Sequence, residues 1–516
     1  MPIFDKVAID GQSIDVRDTS TANKLSAEII AREEADNQIN QRINNLRFKN
    51  VYYPEDYGAV GDGSADDYSA IQQCVNAAAS NGVVVFTSGK VYRSNSVVTL
   101  QSKSTLIGYG STVLFPSSHG FQNLGFGDPP STTNYDIHIL GLTLDGGGTA
   151  DGLIRWAGVH RGVIRDCYIH NVPVTGVTTG LSIANGCTDI VVDSCTIDIA
   201  DYAIILASEA NTRAQGVLYN RNITISSCDI TTDWGTGIAM QGGGRSISVS
   251  NCNIHVTGVT NNVGLGIKIN EGVNGTYNVR YVTISGCNFD YGNTGSSDNA
   301  AVTIGNYNDY LTIDGCTFRN FYNAITPNYT NGALHLTVSC CICVGEDNSL
   351  SFINATASAN VYLDLTGCQV YNVGQAIAGG AYDNTSIVGL VCRGCARLLS
   401  VTSSNMIQLV GCYIYNASQT AIMITNPVSG AVLTISGCNF SDCSPGNSVI
   451  TLGSGNAIVS GTTISNQSGT KPTYAIMGGG VVCMTGCWLY GFSSGYYNLS
   501  GSSSVTTNNV ERGGIG

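Results

Sequence analysis

Four carboxylates, Asp201, Glu209, Asp233 and Glu271, fall within one stretch of this chain, and a tryptophan, Trp234, follows the third. Hydrolysis of a glycosidic bond needs two carboxyl groups across the scissile bond, one protonated and one ionised. Trp234 and Tyr202 offer flat rings on which a sugar can stack, and Lys268 and Arg245 carry charges that suit uronate, phosphate or sialate groups. Elimination is the competing chemistry. There a Lys, His or Tyr base takes the proton α to a uronate carboxyl while other groups stabilise the developing charge. Hydrolysis is the preferred reading, because a net charge of −13 works against a polyanionic substrate, although a local field can outweigh the total. The same charge argues against a nucleic-acid partner.

The elements that must position these side chains are written as a repeat. TISGCNF spans Thr283 to Phe289 and returns unchanged from Thr434 to Phe440, with looser copies such as TISSCDI from Thr224 and TIDGCTF from Thr312. Val282 and Ile284 alternate with polar neighbours, as one short strand with a single apolar face would. Gly286 interrupts, Cys287 and Phe289 resume the alternation offset by one residue, and Val302 with Ile304 makes a third strand. Such a unit cannot bury its inward side alone; stacked units bury it against each other at a spacing of ~4.8 Å. The expected fold is all-β, a right-handed parallel β-helix with three short strands per coil. The inward cysteine marks the coils: Cys167, Cys195, Cys228, Cys252, Cys287, Cys316, Cys340 or Cys341, Cys368, Cys392, Cys412, Cys438 and Cys487, with Thr463 filling the missing rung. Outward residues at equivalent positions then form columns. Three residues after the cysteine the column reads His170, Asp198, Thr231, His255, Asp290, Arg319. Only 11% of the residues are charged, so this concentration marks His255 and Asp198 as substrate-binding candidates; the plainer reading is a solvated or subunit-facing polar stripe.

The cysteines read as compact hydrophobes. No signal peptide is read in the sequence, so thiols are expected, although disulfides remain open. Cys392/Cys395 and Cys340/Cys341/Cys343 have metal-like spacing, but no short segment converges four ligands, and no metal or cofactor is expected. No apolar run reaches membrane-spanning length, so no membrane insertion is expected. Between residues 21 and 50, a Gly- and Pro-free stretch places Leu25, Ile29, Ile39, Ile43 and Leu46 on a coiled-coil seam, with Arg32 and Asp36 at its centre. This predicts a helix that assembles a homotrimer; the alternative is an amphipathic helix packed on its own chain.

Asp56, Tyr57, Gly58, Gly61, Asp62, Gly63, Asp66, Asp67, Ala70 and Ile71, followed by GVVVF, resemble the opening module of the pectate-lyase-like superfamily, which heads many phage tailspike β-helices. The resemblance implies that residues 51–116 cap the β-helix with a helix from Tyr68 to about Ala79, and that its aspartates serve turns and helix capping rather than catalysis or calcium. Ile9 to Asp18 resembles a short adaptor motif of phage tail and baseplate proteins, which implies a virion attachment segment at 1–20. The β-helix body is expected over 117–499, and residues 500–516 over a tail or cap. The whole order resembles a phage tailspike: a homotrimer assembled in the host cytoplasm, attached to the tail, acting at the host surface on a bacterial polysaccharide.

Four successive segments, TTGLSI, DYAIIL, WGTGIAM and GLGIKI, resemble in order and position the active-site coils of polygalacturonases. Asp201 matches one catalytic aspartate and Lys268 the lysine. Tyr202, Thr179, Thr236 and Gly266 replace the other catalytic residues, so only the location, a groove over residues 175–272, carries over. Two functions remain. One is a polysaccharide depolymerase that uses Asp201, Asp233, Glu271 and Glu209 for catalysis and Trp234, Tyr202, Lys268, Arg245, His255 and Asp198 for binding. The other is a non-enzymatic receptor-binding or structural tail protein. A carboxylate pair in a groove separates them.

Overall fold

The computed structural model describes residues 6–9, 12–15, 32 and 50–515, apart from 80–81, 117–118, 174–177, 200, 209–218, 234, 258–263, 270–278, 293–298, 306–308, 329–332, 347–349, 356–359, 426–429, 444–446, 468–469, 500–503 and 509. Two compact units divide at Val51/Tyr52. In the first, Lys6–Ile9 pairs antiparallel with Gln12–Asp15. Arg32 is helical; the rest of the expected coiled-coil seam lies outside the described residues.

The second unit is a three-faced parallel β-helix. A representative coil runs from Asn220–Ser226 on the first face, through Asp229–Thr232 on the second, to Thr236–Gln241 on the third. Each strand pairs in parallel with its counterpart one coil on, as Thr283↔Thr312 and Phe289↔Phe318 do. Among the described residues the second face is a ladder of 18 strands. Alternation sets what is inside. In Val279–Ser285, Val282 and Ile284 are buried and Thr283 is exposed. Phe289 and Phe318 stack in the core at 5.1 Å between centroids.

The bend between the first and second faces explains the glycine of the repeat. The residue before each inward position adopts a left-handed conformation: φ is +61° at Gly286 and +62° at Gly437, a region glycine enters freely. Where glycine is absent, Asp166, Ser194, Ser227 and Asn251 take its place with φ of 52–54°. The same bend fixes the phase of the cysteine ladder. Cys340 occupies the bend at φ +52° and is exposed, so Cys341 is the rung. Gly389 occupies the next-but-one bend, and Val391 pairs with Gln369. The rung there is Leu390, and Cys392 instead faces the core two residues on, beside Val370. Thr462, not Thr463, fills the late gap: Thr463 pairs with Asn439, and the Cys438 backbone N–H donates to Thr462 Oγ1 at 3.4 Å. In each case the apolar alternation suits two phases, and the left-handed bend selects one. The rung thiols donate to nearby carbonyls; Cys228 Sγ lies 3.2 Å from Ser226 O.

The helix Tyr68–Ala78 buries Ala70, Ile71, Cys74, Val75 and Ala78. Its neighbouring aspartates are spent on backbone N–H groups. Asp67 accepts from Val60 and Gly61, Asp66 from Tyr68 and Asn95, and Asp62 from Ser64 and Ala65. The parallel ladder also continues past Leu499: Ser504–Asn508 pairs with the strand before it on the first face and Glu511–Ile515 with its counterpart on the second. The apolar pattern is too weak there to announce strands.

Candidate active site

The second face builds the column that the cysteine count predicts. His170 pairs with Asp198, Asp198 with Thr231, Thr231 with His255, His255 with Asp290, and Asp290 with Arg319. Neighbouring rungs lie ~4.8 Å apart. At the corner where this face turns towards the third, a cleft of about 430 Å³ opens, lined by His170, Asn171, Val172, Asp198, Ile199, Thr231, Asp233 and Thr257.

Two carboxylates line this cleft. Asp198 is exposed, and among the described residues its carboxylate has no hydrogen bond or ion pair. Asp233 is half-buried, and Oδ1 accepts from Thr257 Oγ1 at 2.8 Å. His170 stacks on Tyr168, with centroids 4.4 Å apart and planes 14° apart. Asn171 is held by donating Nδ2–H to Asp145 at 2.7 Å. His255 Nδ1 and Asp290 Oδ2 are 3.1 Å apart beside the cleft. Thr257 and Asn171 escaped the sequence reading. Thr257 stands one coil after Asp233 at the equivalent position, so the same stacking count, carried two residues further, would have found it.

The other candidates are placed differently. Asp201, expected to be catalytic, is only 3% exposed and does not line the cleft. Its Oδ2 accepts the Thr178 backbone N–H at 3.0 Å, and Gly235 packs so closely on its backbone that a Cβ there would lie 2.2 Å from the Asp201 carbonyl oxygen. Burial pushes its pKa up to about 6, against the opposing hydrogen bond. Tyr202 is half-buried, and burial together with the Asp201 charge raises its pKa. Lys268 lies on the third face, in register between Ala239 and Thr303. Arg245 lies on the first face, with its guanidinium 4.8 Å from the centre of the Tyr219 ring. The expected single groove is therefore divided: Asp198 and Asp233 share the cleft, His255 adjoins it, and Lys268 and Arg245 stand on other faces. Glu209, Trp234 and Glu271 lie outside the described residues. Among the described residues no group of three His, Cys, Asp or Glu side chains is arranged to hold a metal ion.

Residues 48–134 match the family described as rhamnogalacturonase A/epimerase, pectate lyase-like. Among solved structures, the pre-mature bacteriophage phi29 gene product 12 aligns over 92% of this chain and 75% of its own, at 14% identity and a TM-score of 0.51. A mutant tailspike protein of E. coli bacteriophage HK620, in complex with a hexasaccharide, aligns over 89% and 80%, at 13% identity and a TM-score of 0.39. PfbA, a surface adhesin of Streptococcus pneumoniae, aligns over 71% and 91%, at 16% identity and a TM-score of 0.43. No curated protein matches the sequence. Residues 48–134 thus resemble a pectate-lyase-like module, and the described body is a three-faced parallel β-helix, the fold shared with phi29 gene product 12.

Proposed function

We propose that this chain is a phage tailspike that binds a bacterial surface polysaccharide and cleaves it within the chain by hydrolysis. The observation that carries the reading is the second-face cleft, where Asp198 and Asp233 stand together on an open, elongated ladder. Asp233 is the ionised partner, because a hydroxyl donating to a carboxylate favours the charged form. Asp198 is the proton donor: it stands exposed on the ladder, with no hydrogen bond or ion pair to its carboxylate among the described residues, where it can reach the glycosidic oxygen of a bound sugar. His170 and Asn171 hydrogen-bond sugar hydroxyls, and His255 and Asp290 extend the same surface along the glycan. The coiled-coil segment assembles three chains, the N-terminal hairpin attaches them to the virion tail, and the protein acts outside the host at its surface.

The test is incubation with surface polysaccharides of candidate hosts, followed by chain length on size-exclusion chromatography and ultraviolet absorbance of an unsaturated product. Shortening without that absorbance, lost in Asp198→Asn and Asp233→Asn, supports hydrolysis. Shortening with it assigns a lyase. Binding of the host glycan without shortening assigns the receptor-binding alternative, which the burial of Asp201 favours, since that residue's match to the glycosidase pattern is turned inward.

A further inference from the structure

The first face carries a column that the cleft does not use. His160, Thr188, Arg221, Arg245 and Arg280 stand in register on five successive coils. The chain has only 23 Lys and Arg residues among 516, against 36 acidic ones, yet three arginines are stacked rung upon rung. Like charges directly opposite on neighbouring strands are destabilising, so the column needs anions to offset it. Arg280 has one, an ion pair of 2.7 Å with Asp309. Asp189, beside Thr188, already accepts from Asn222 Nδ2 at 2.9 Å. Arg221 is exposed, and among the described residues its guanidinium has neither hydrogen bond nor ion pair. Arg245 is half-buried, its guanidinium is steadied by the Tyr219 ring, and its Nε has no hydrogen-bond partner among the described residues. The Arg245 Nε is shut off from solvent, so it is the terminal nitrogens of the two guanidinium groups, on adjacent rungs and without a hydrogen bond among the described residues, that are left to meet carboxylate, sulfate or phosphate oxygens.

We infer that Arg221 and Arg245 form an anion-binding site on the first face that takes the charged groups of an acidic polysaccharide. The polysaccharide part of this inference rests on the glycan-binding reading above; the anion site itself does not. The site is separate from the cleft, so the two faces grip different parts of the same polymer, and linked weak contacts raise the overall affinity.

The experiment compares dextran sulfate with uncharged dextran of equal length as probes of the full chain, by calorimetry at low salt. Dextran sulfate is expected to bind and dextran is not, with affinity falling as salt rises. The pair Arg221→Gln with Arg245→Gln is expected to weaken dextran sulfate at least about tenfold. A pair that removes equal charge elsewhere, Lys103→Gln with Arg393→Gln, is expected to change it by less than about twofold. Arg221→Lys with Arg245→Lys keeps the charge but not the fork and is expected to fall between them. Absence of dextran sulfate binding, or equal losses in the two Gln pairs, overturns the site. Asp198→Asn with Asp233→Asn tests the cleft separately: it is expected to leave dextran sulfate binding intact while abolishing cleavage of the host polysaccharide.

Discussion

The Thr257 hydroxyl donates to Asp233 Oδ1 at 2.8 Å, and the two residues occupy equivalent positions on adjacent coils. One coil therefore supplies the carboxylate and the next holds it. Asp233→Asn is expected to reduce cleavage by ~100-fold or more, the usual scale for loss of an acid–base group. Thr257→Val keeps the side-chain shape and removes the hydroxyl, and with it the bond to Asp233 and the longer 3.4 Å contact to Thr232 O. It is expected to reduce cleavage several-fold and to move the acid limb of the pH–rate profile upward, because the charged form of Asp233 loses a donor. A pH profile unchanged in Thr257→Val would remove the hydroxyl from the mechanism.

Asp201 makes a different prediction. Its folded-state pKa of about 6 lies above the ordinary 3.8. Between those values the folded chain holds a proton that the unfolded chain has released, so the group's contribution to stability falls as pH rises from about 4 to 6 and is constant above. A shift of this size corresponds to ~3 kcal/mol at most. Asp201→Asn keeps an oxygen for the Thr178 N–H and removes the charge. It is expected to match the parent chain near pH 4 and to melt at a higher temperature near pH 8. Equal melting temperatures at both pH values would show that Asp201 is not ionising against its surroundings.

The β-helix was legible because its pattern is dictated one residue at a time: Val282 and Ile284 go in, Gly286 turns, Cys287 and Phe289 go in again. Its phase was less legible at Cys392 and Thr463, because apolar alternation allows a shift of one or two residues and only the left-handed bends at Gly389 and Gly461 settle it. The column from His170 to Arg319 follows from counting after each cysteine. The fate of Asp201 does not, since its burial depends on Gly235 packing from the following coil. Arg245 is close to the groove in sequence, but it stands seven residues before Cys252, which places it on the first face.

Gly437 isolates the cost of the bend. Its φ is +62°, and a Cβ there would have no atom within 4 Å, so any penalty of substitution is conformational rather than steric crowding. Gly437→Ala is expected to cost about 1 kcal/mol. Gly437→Asn is expected to cost less, because asparagine tolerates this region and Asn251 already occupies the equivalent bend at φ +52°. Denaturant melts of the two variants measure the order; an alanine variant as stable as the parent would mean that the bend relaxes.

The thiols give the last test. Of 19 cysteines, only Cys340 and Cys483 are exposed. Cys340 is turned out by its place in the bend, and Cys483 by its outward phase on the first-face strand Val481–Thr485. The rung thiols are sealed within the stack, and burial pushes the pKa of Cys187, which lies off the ladder, up to about 12, so it holds little thiolate at neutral pH. Brief treatment of the native protein with iodoacetamide, followed by peptide mass spectrometry, is expected to label Cys340 and Cys483 quickly and the rungs only after unfolding. Rapid labelling of Cys228, Cys252 or Cys287 in the native protein would show that the coils open locally around the cleft, because no smaller motion exposes an inward sulfur between stacked strands.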